Sequence, residues 1–129
     1  PFPNKVSFIS QNWKKYPALI QDSTLVTKII DIEKTINGRA YYYIPKEKVL
    51  PFAGQIKTGD IILITTKKKG LDTAHVGIAI ENEGQIYLLH ASVSDKKVSV
   101  TTETLPDYLQ RITSHSGIMI GRLINFKSN

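Results

Sequence analysis

Apolar positions along the chain follow two different rhythms. Leu25, Ile29, Ile32 and Ile36 recur at the spacing of one helix face. Asp22 and Ser23 stand where an N-cap is needed and Gly38 where a helix stops, so the pattern predicts a helix from about residue 23 or 24 up to Gly38. A shorter helix is expected at residues 12–16, before Pro17, and Tyr41-Tyr42-Tyr43-Ile44 reads as a β-favouring run halted by Pro45. From residue 58 onward the period becomes that of strands, expected at 60–66, 74–81, 85–92, 97–101 and 117–124, several of them separated by Gly, Asn or Asp. Between the last two, Thr104 followed by Leu105-Pro106-Asp107 predicts a helix start, with Leu105, Leu109 and Ile112 as its apolar stripe. Together these elements predict one α+β domain over residues 1–129, an antiparallel sheet with helices packed on it.

Charge and composition narrow the function classes. Lys and Arg number 17 against 11 Asp and Glu, a formal net charge of +6. A basic surface could serve nucleic acid, anionic lipid or an acidic polymer such as cell wall, but scattered lysines also simply solubilise a small domain. The one dense cluster, Lys67-Lys68-Lys69, falls where a loop is expected. An RNP-like aromatic pattern and a basic helix are both missing, which sets nucleic acid aside. No apolar run approaches the roughly 20 residues that span a bilayer. Cysteine is absent, so these residues offer neither disulfides, nor thiolate metal sites, nor a thiol nucleophile. The chain opens Pro1-Phe2-Pro3, without Met or a basic-then-apolar leader, so an upstream segment is expected.

Candidate chemistry centres on two of the three histidines. His75 and His90 fall in consecutive strands joined by Glu81-Asn82-Glu83-Gly84, a plausible hairpin turn. With Asn82 and Glu83 at the tip, His75 lies directly opposite His90, Cβ atoms about 5 Å apart on one sheet face. In that register Gly77 faces Leu88 and Ala79 faces Ile86, leaving room on the histidine face for another element, such as a helix. Val76, Ile78, Ile80, Tyr87 and Leu89 collect on the other face, which is expected to be ordinary core. A lone strand histidine is usually a packing residue; two opposed across a hairpin suit the base and orienting group of a nucleophilic triad. Metal binding needs a third ligand, and beyond nearby Asp72 no metal motif exists, so no metal or other cofactor is expected. His115, within Thr113-Ser114-His115-Ser116, reads as a solvated loop residue.

Several strings then become recognisable. Gly59-Asp60-Ile61-Ile62, Ala74-His75-Val76-Gly77-Ile78 and Leu88-Leu89-His90-Ala91-Ser92 resemble the successive signatures of the NlpC-type cysteine-peptidase superfamily. Ala40-Tyr41-Tyr42-Tyr43-Ile44-Pro45-Lys46, Lys69-Gly70-Leu71-Asp72 and Ser116-Gly117-Ile118-Met119-Ile120 resemble its N-acetylmuramoyl-L-alanine amidase-like branch. The resemblance implies a papain-like α+β fold and a bacterial cell-wall hydrolase with a Cys-His-His site. It makes His75 the general base, His90 the residue that orients it, and places the nucleophilic cysteine on a helix upstream of this region. The bond cut would join N-acetylmuramic acid to L-alanine in peptidoglycan fragments (muropeptides), in the cell envelope, periplasmic or exported. This chain departs from the pattern by lacking the cysteine, with Ser92 a poor stand-in, and by carrying Ala74 where relatives often have Ser.

Substrate contacts are expected at Asp72 and Thr73, which lead into His75, and at Arg39 and Tyr43 in the tyrosine-rich stretch, although packing and solvation account for such residues equally well. The competing reading is a non-catalytic peptidoglycan-binding module, suggested by the missing thiol and the positive charge. If an upstream segment is missing, an uncovered sheet face would favour self-association or a bound partner.

Overall fold

In a computed structural model, residues 1–3 and 5–124 are described, and the chain forms two compact units, Pro1–Tyr42 with Lys67–Asp72 and Tyr43–Thr66 with the residues from Thr73 onward. In the first unit, helices α1 (Phe8–Gln11), α2 (Pro17–Gln21) and α3 (Thr24–Asn37) follow one another, with a single 3-10 turn at Trp13–Lys15. The helix expected at residues 12–16 is thus only that turn. Helix α3 begins where Asp22 accepts hydrogen bonds from the Thr24 amide and hydroxyl, at 3.0 and 2.5 Å, and ends at Gly38 as expected. Asn37, at its end, clips the N-terminal segment: its side chain donates to the Val6 carbonyl and accepts from the Val6 amide, both at 2.8 Å. Buried Glu33 accepts from the amide and hydroxyl of Ser10, which ties α1 to α3.

The second unit is an antiparallel sheet in the order β1-β6-β2-β3-β4-β5. Its strands are β1 (Ile44–Pro45), β2 (Ile61–Thr66), β3 (Thr73–Asn82), β4 (Gln85–Ser92), β5 (Lys97–Val100) and β6 (His115–Gly121), with helices α4 (Lys46–Phe52) and α5 (Leu105–Arg111). The α+β class is therefore observed. The tyrosine run yields only the two-residue β1, because Pro45 stands at the N-cap of α4 and the chain turns at once into a helix. Helix α5 starts as its sequence predicts: the Thr104 hydroxyl accepts from the Asp107 amide at 3.4 Å and donates to its carboxylate at 2.7 Å.

Turn chemistry corrects the hairpin register. Asn82 pairs with Gln85, so the tip is Glu83-Gly84, one residue later than expected. Both tip residues have positive φ, 51° and 77°, the two-residue turn whose twist matches the flanking strands. Glycine takes the second position without a Cβ penalty, which Asn82-Glu83 at the tip would not allow. Ala79 therefore faces Leu88 and Ile78 faces Leu89, two positions from the expected partners. A two-residue displacement leaves every side chain on its original face.

Which face is core is also corrected. Ile62, Ile64, Ala79, Ile86, Leu88 and Ile118, on the histidine side, pack with Val49, Leu105 and Leu109 from α4 and α5. Val76 is instead 52% exposed, Ile78 42% and Val98 69%. Gly77 and Ala79 open space that core side chains fill, so the side with small residues is the one that packs.

Asp60, just before β2, is 2% exposed and takes a two-pronged hydrogen bond from Arg122 at 2.7 and 2.6 Å and one from the Lys57 amide at 2.8 Å. The Arg122 guanidinium holds its carboxyl below the usual range. A depressed carboxyl pKa contributes stability above the unfolded value of about 4, lost as acid protonates it. Arg122→Met is expected to move acid unfolding to higher pH while leaving α5 intact, as followed by circular dichroism; an unchanged acid midpoint would deny the pair this role.

Candidate active site

Strands β3 and β4 carry His75 and His90 on the same face as Ala79 and Leu88, the core face of the sheet. With the corrected register the two are diagonal neighbours rather than directly opposed, a separation that imidazoles span. His75 Nε2 lies 2.7 Å from His90 Nδ1, with ring centroids 5.0 Å apart and planes nearly perpendicular. One proton on that axis joins the pair, which fixes the tautomers together. His75 Nδ1 is left without a hydrogen bond among the described residues. Burial lowers the His75 pKa, and the nearby charge of His90 lowers it further, so its neutral, basic form prevails in neutral solution.

Backbone irregularity aims this histidine. Ile64 pairs with His75 but Thr65 pairs with Thr73, so Ala74 is an extra residue bulged out of β3. A second bulge lies across the sheet: Thr65 pairs with Gly117 and Thr66 with His115, leaving Ser116 unpaired in β6. Regular alternation from the buried Ile118 would send His115 to the outer face; the bulge turns it inward, where it is 5% exposed. The expectation of a solvated His115 is thereby overturned.

Tyr108 of α5 links the histidines. Its ring meets His90 edge-on at 5.5 Å and His115 at 5.7 Å. On its outer side Arg111 lies 5.3 Å from the ring and donates to Glu103 at 2.6 Å. Desolvation raises the Tyr108 pKa, keeping its hydroxyl protonated. Tyr108 was not singled out from sequence, although it lies beside Leu105 and Leu109 on the buried face of α5. All these rings line one cavity of about 490 Å³ that Ser92, Val93, Ser94 and Asp95 also line. Ser92 Oγ is 8% exposed at residue level, lies 3.0 Å from Ser94 Oγ and accepts from the Asp95 amide, so it is engaged in the loop.

The expected substrate residues divide between the units. Arg39 and Asp72 line a cleft of about 60 Å³ within the first unit, with Lys5, Asn37 and Tyr41. Thr73 pairs with Thr65 at the start of β3, and Tyr43 immediately precedes β1; neither lines the histidine cavity. Among the described residues no group of three or more His, Cys, Asp or Glu is placed to hold a metal ion, and no helix is long and apolar enough to cross a membrane.

Known proteins give this geometry a context. No curated protein matches the chain significantly. A Bacteroides uniformis protein named N-acetylmuramoyl-L-alanine amidase is 37% identical, with a TM-score of 0.82 over 91% of this chain and 50% of that one. A Bacteroides fragilis protein provisionally described as a xylanase is 38% identical, with a TM-score of 0.83 over 90% of this chain and 51% of that one. A Legionella pneumophila protein, 24% identical with a TM-score of 0.51 over 77% of this chain and 40% of that one, bears on the fold alone. The chain thus spans about half the length of the first two. A family model described as N-acetylmuramoyl-L-alanine amidase-like matches residues 4–118. With that extent of match, and with the two histidines bonded across one hairpin, the chain belongs to the N-acetylmuramoyl-L-alanine amidase-like family.

Proposed function

We propose that this chain is the histidine-bearing part of a bacterial cell-wall amidase that hydrolyses the bond between N-acetylmuramic acid and L-alanine in peptidoglycan fragments. The observation that carries the reading is the 2.7 Å contact between His75 Nε2 and His90 Nδ1 at the wall of a cavity. A base held from behind by a second ring, with its other nitrogen unengaged, is half of a nucleophilic triad. The other half is a cysteine supplied from outside these residues, since the 129 residues contain none. An imidazole beside a thiol converts it to thiolate, which attacks the lactyl carbonyl; His75, now protonated, delivers its proton to the departing L-alanine nitrogen. Water then releases the acyl group with His75 as base, while His90 keeps the ring aligned through both steps. Arg39 and Asp72, in the first unit's cleft, and Thr73 and Tyr43 are the groups we assign to contacts with the acidic stem peptide. Such an enzyme works in the cell envelope, periplasmic or exported.

The test is product analysis. A polypeptide containing this chain and its cysteine, incubated with a muropeptide, is expected to release the intact stem peptide with a free L-alanine amine, identified by mass. Cleavage within the stem peptide, or no cleavage, would defeat the reading. The absence of a thiol in this chain favours one alternative, a non-catalytic module that binds the wall. That alternative gives saturable muropeptide binding without products even when the cysteine-bearing segment is present.

A further inference from the structure

A side chain that orients a catalytic base must itself be locked in place. His90 makes one hydrogen bond among the described residues, through Nδ1 to His75, and its Nε2 makes none. Turning that ring over would carry Nδ1 away from His75 and part the pair. No polar group holds it, as a carboxylate holds the histidine of a serine triad, so packing has to. Tyr108 supplies that packing, with its ring 5.5 Å from that of His90 and at 81° to it. Edge-to-face pairs contribute about 0.5–1.5 kcal/mol beyond the area they bury, enough to favour one ring orientation up to about tenfold. The tyrosine is held in turn. It is 8% exposed, shares the buried face of α5 with Leu105 and Leu109, and meets His115 at 5.7 Å. Arg111, one turn along α5, lies 5.3 Å from the ring and donates from Nε and Nη2 to Glu103 at 2.8 and 2.6 Å. Glu103 is tied back to the strand that carries His90. Its carbonyl accepts from the Thr101 hydroxyl at 2.8 Å. That hydroxyl accepts from the Leu88 amide of β4 at 3.1 Å, and the Thr101 amide donates to the Leu88 carbonyl at 2.9 Å. The contacts thus close a circuit from β4 through Thr101, Glu103, Arg111 and Tyr108 back to His90.

We propose that Tyr108 is a positioning residue whose ring fixes the orientation of His90, and so the axis on which His90 and His75 share a proton, with Arg111 and Glu103 as its brace. The inference deepens the amidase reading and rests on it for the consequence in catalysis, whereas the orientation itself depends on no substrate. The exposure of the brace fits a role in geometry. With 58% of the Arg111 side chain and 29% of the Glu103 side chain exposed, water screens the ion pair, which contributes little to stability. What a two-pronged pair does add is a fixed direction. It is the ring of Tyr108 that acts, since its hydroxyl makes no hydrogen bond among the described residues.

The histidine pair is its own probe, observed through the imidazole nitrogens of this 129-residue chain labelled with ¹⁵N in neutral solution. In the parent, His75 and His90 are each expected to show one fixed tautomer, a protonated and a bare nitrogen well separated. Tyr108→Leu is expected to bring the His90 nitrogens toward one averaged position as the ring turns over, with those of His75 following. Tyr108→Phe, which keeps the ring, is expected to restore the parent pattern. Averaged nitrogens already in the parent overturn the proposal, as do parent-like nitrogens in a folded Tyr108→Leu. Averaging in Tyr108→Phe as complete as in Tyr108→Leu overturns it equally. Should Tyr108→Leu fail to fold, Arg111→Ala, a change at the surface, decides in its place: partial averaging at His90 supports the proposal and none overturns it. In the polypeptide that supplies the cysteine, Tyr108→Leu is expected to lower kcat on a muropeptide about tenfold at unchanged KM. An unchanged kcat, or a raised KM in its stead, would remove the positioning role. A parent polypeptide without turnover defeats the amidase reading alone, and the nitrogens then decide this one.

Discussion

His75→Ala, in a polypeptide that unites this chain with its cysteine, is expected to lower muropeptide turnover about a thousandfold or more while leaving the melting temperature nearly unchanged. The size follows from the two jobs assigned to one imidazole, keeping the thiol ionised and protonating the leaving amine. His90→Ala, which removes only the partner 2.7 Å behind it, is expected to cost less, since the base remains but its ring can turn. The pH profile separates these roles. Burial and the His90 charge lower the His75 pKa, so the acid limb of kcat/KM is expected below the ordinary imidazole value of about 6.5. His90→Ala removes the second of those causes and moves the limb upward. The same depression has a folding consequence of fixed sign. Stability from the neutral ring is present above about pH 6.5 and is lost as pH falls toward the folded-state value. Undiminished turnover in His75→Ala, measured by chromatography of the released peptide, would remove this histidine from the reaction.

Gly77→Val is expected to destabilise the chain by about 3 kcal/mol, a fall in melting temperature of roughly 10 °C. A Cβ at this position would lie 2.5 Å from Leu88 Cδ1, 2.6 Å from its Cγ and 2.8 Å from the Leu89 carbonyl oxygen. Leu88 is fully buried and has nowhere to retreat, and the Leu89 oxygen belongs to the paired strand itself. Relief therefore requires β3 and β4 to part. Gly77 is two residues from His75 on the same face, so parting the strands also lengthens the contact between the imidazoles. Combining Gly77→Ala with Leu88→Ala separates the two clashes. Shortening the leucine removes the side-chain conflict, and the pair is expected to be about 1 kcal/mol less damaging than its separate effects imply. A Gly77→Val chain that melts within a degree or two of the parent would show that the strands are not closely apposed here.

Much of this arrangement is legible in the amino-acid string because it depends on parity and period. Helix α3 is announced by its stripe from Leu25 to Ile36 and by Asp22 and Gly38, and α5 by Thr104 and Pro106. The hairpin histidines share a face in any register displaced by an even number of residues, so the misplaced turn changed their partners without separating them. Features governed by single residues that break regularity were harder to read. Alternation counted through β6 gives His115 the wrong side, because Ser116 adds a residue that no periodic pattern reveals. Pro45 and Pro51 look like breakers of any helix between them, yet Pro45 occupies the N-cap of α4, where no N–H is needed, and Pro51 lies inside its last turn at the loss of one backbone hydrogen bond. Burial direction was misjudged for a related reason. The small residues at 77 and 79 do mark the face on which a helix packs, since Leu105 and Leu109 of α5 join Ala79, Ile86 and Leu88 in the core, but alternation alone does not show that the Val76 and Ile78 face lies open.

The Glu83-Gly84 tip carries a consequence for how sequence variation at this hairpin should be interpreted. Insertions there act on the reaction centre by counting rather than by contact. A change that slides one strand by two residues keeps both imidazoles facing inward and merely alters their spacing, a graded phenotype. A slide of one residue turns one ring toward solvent and abolishes the pair, an all-or-nothing allele at a site that does not line the histidine cavity.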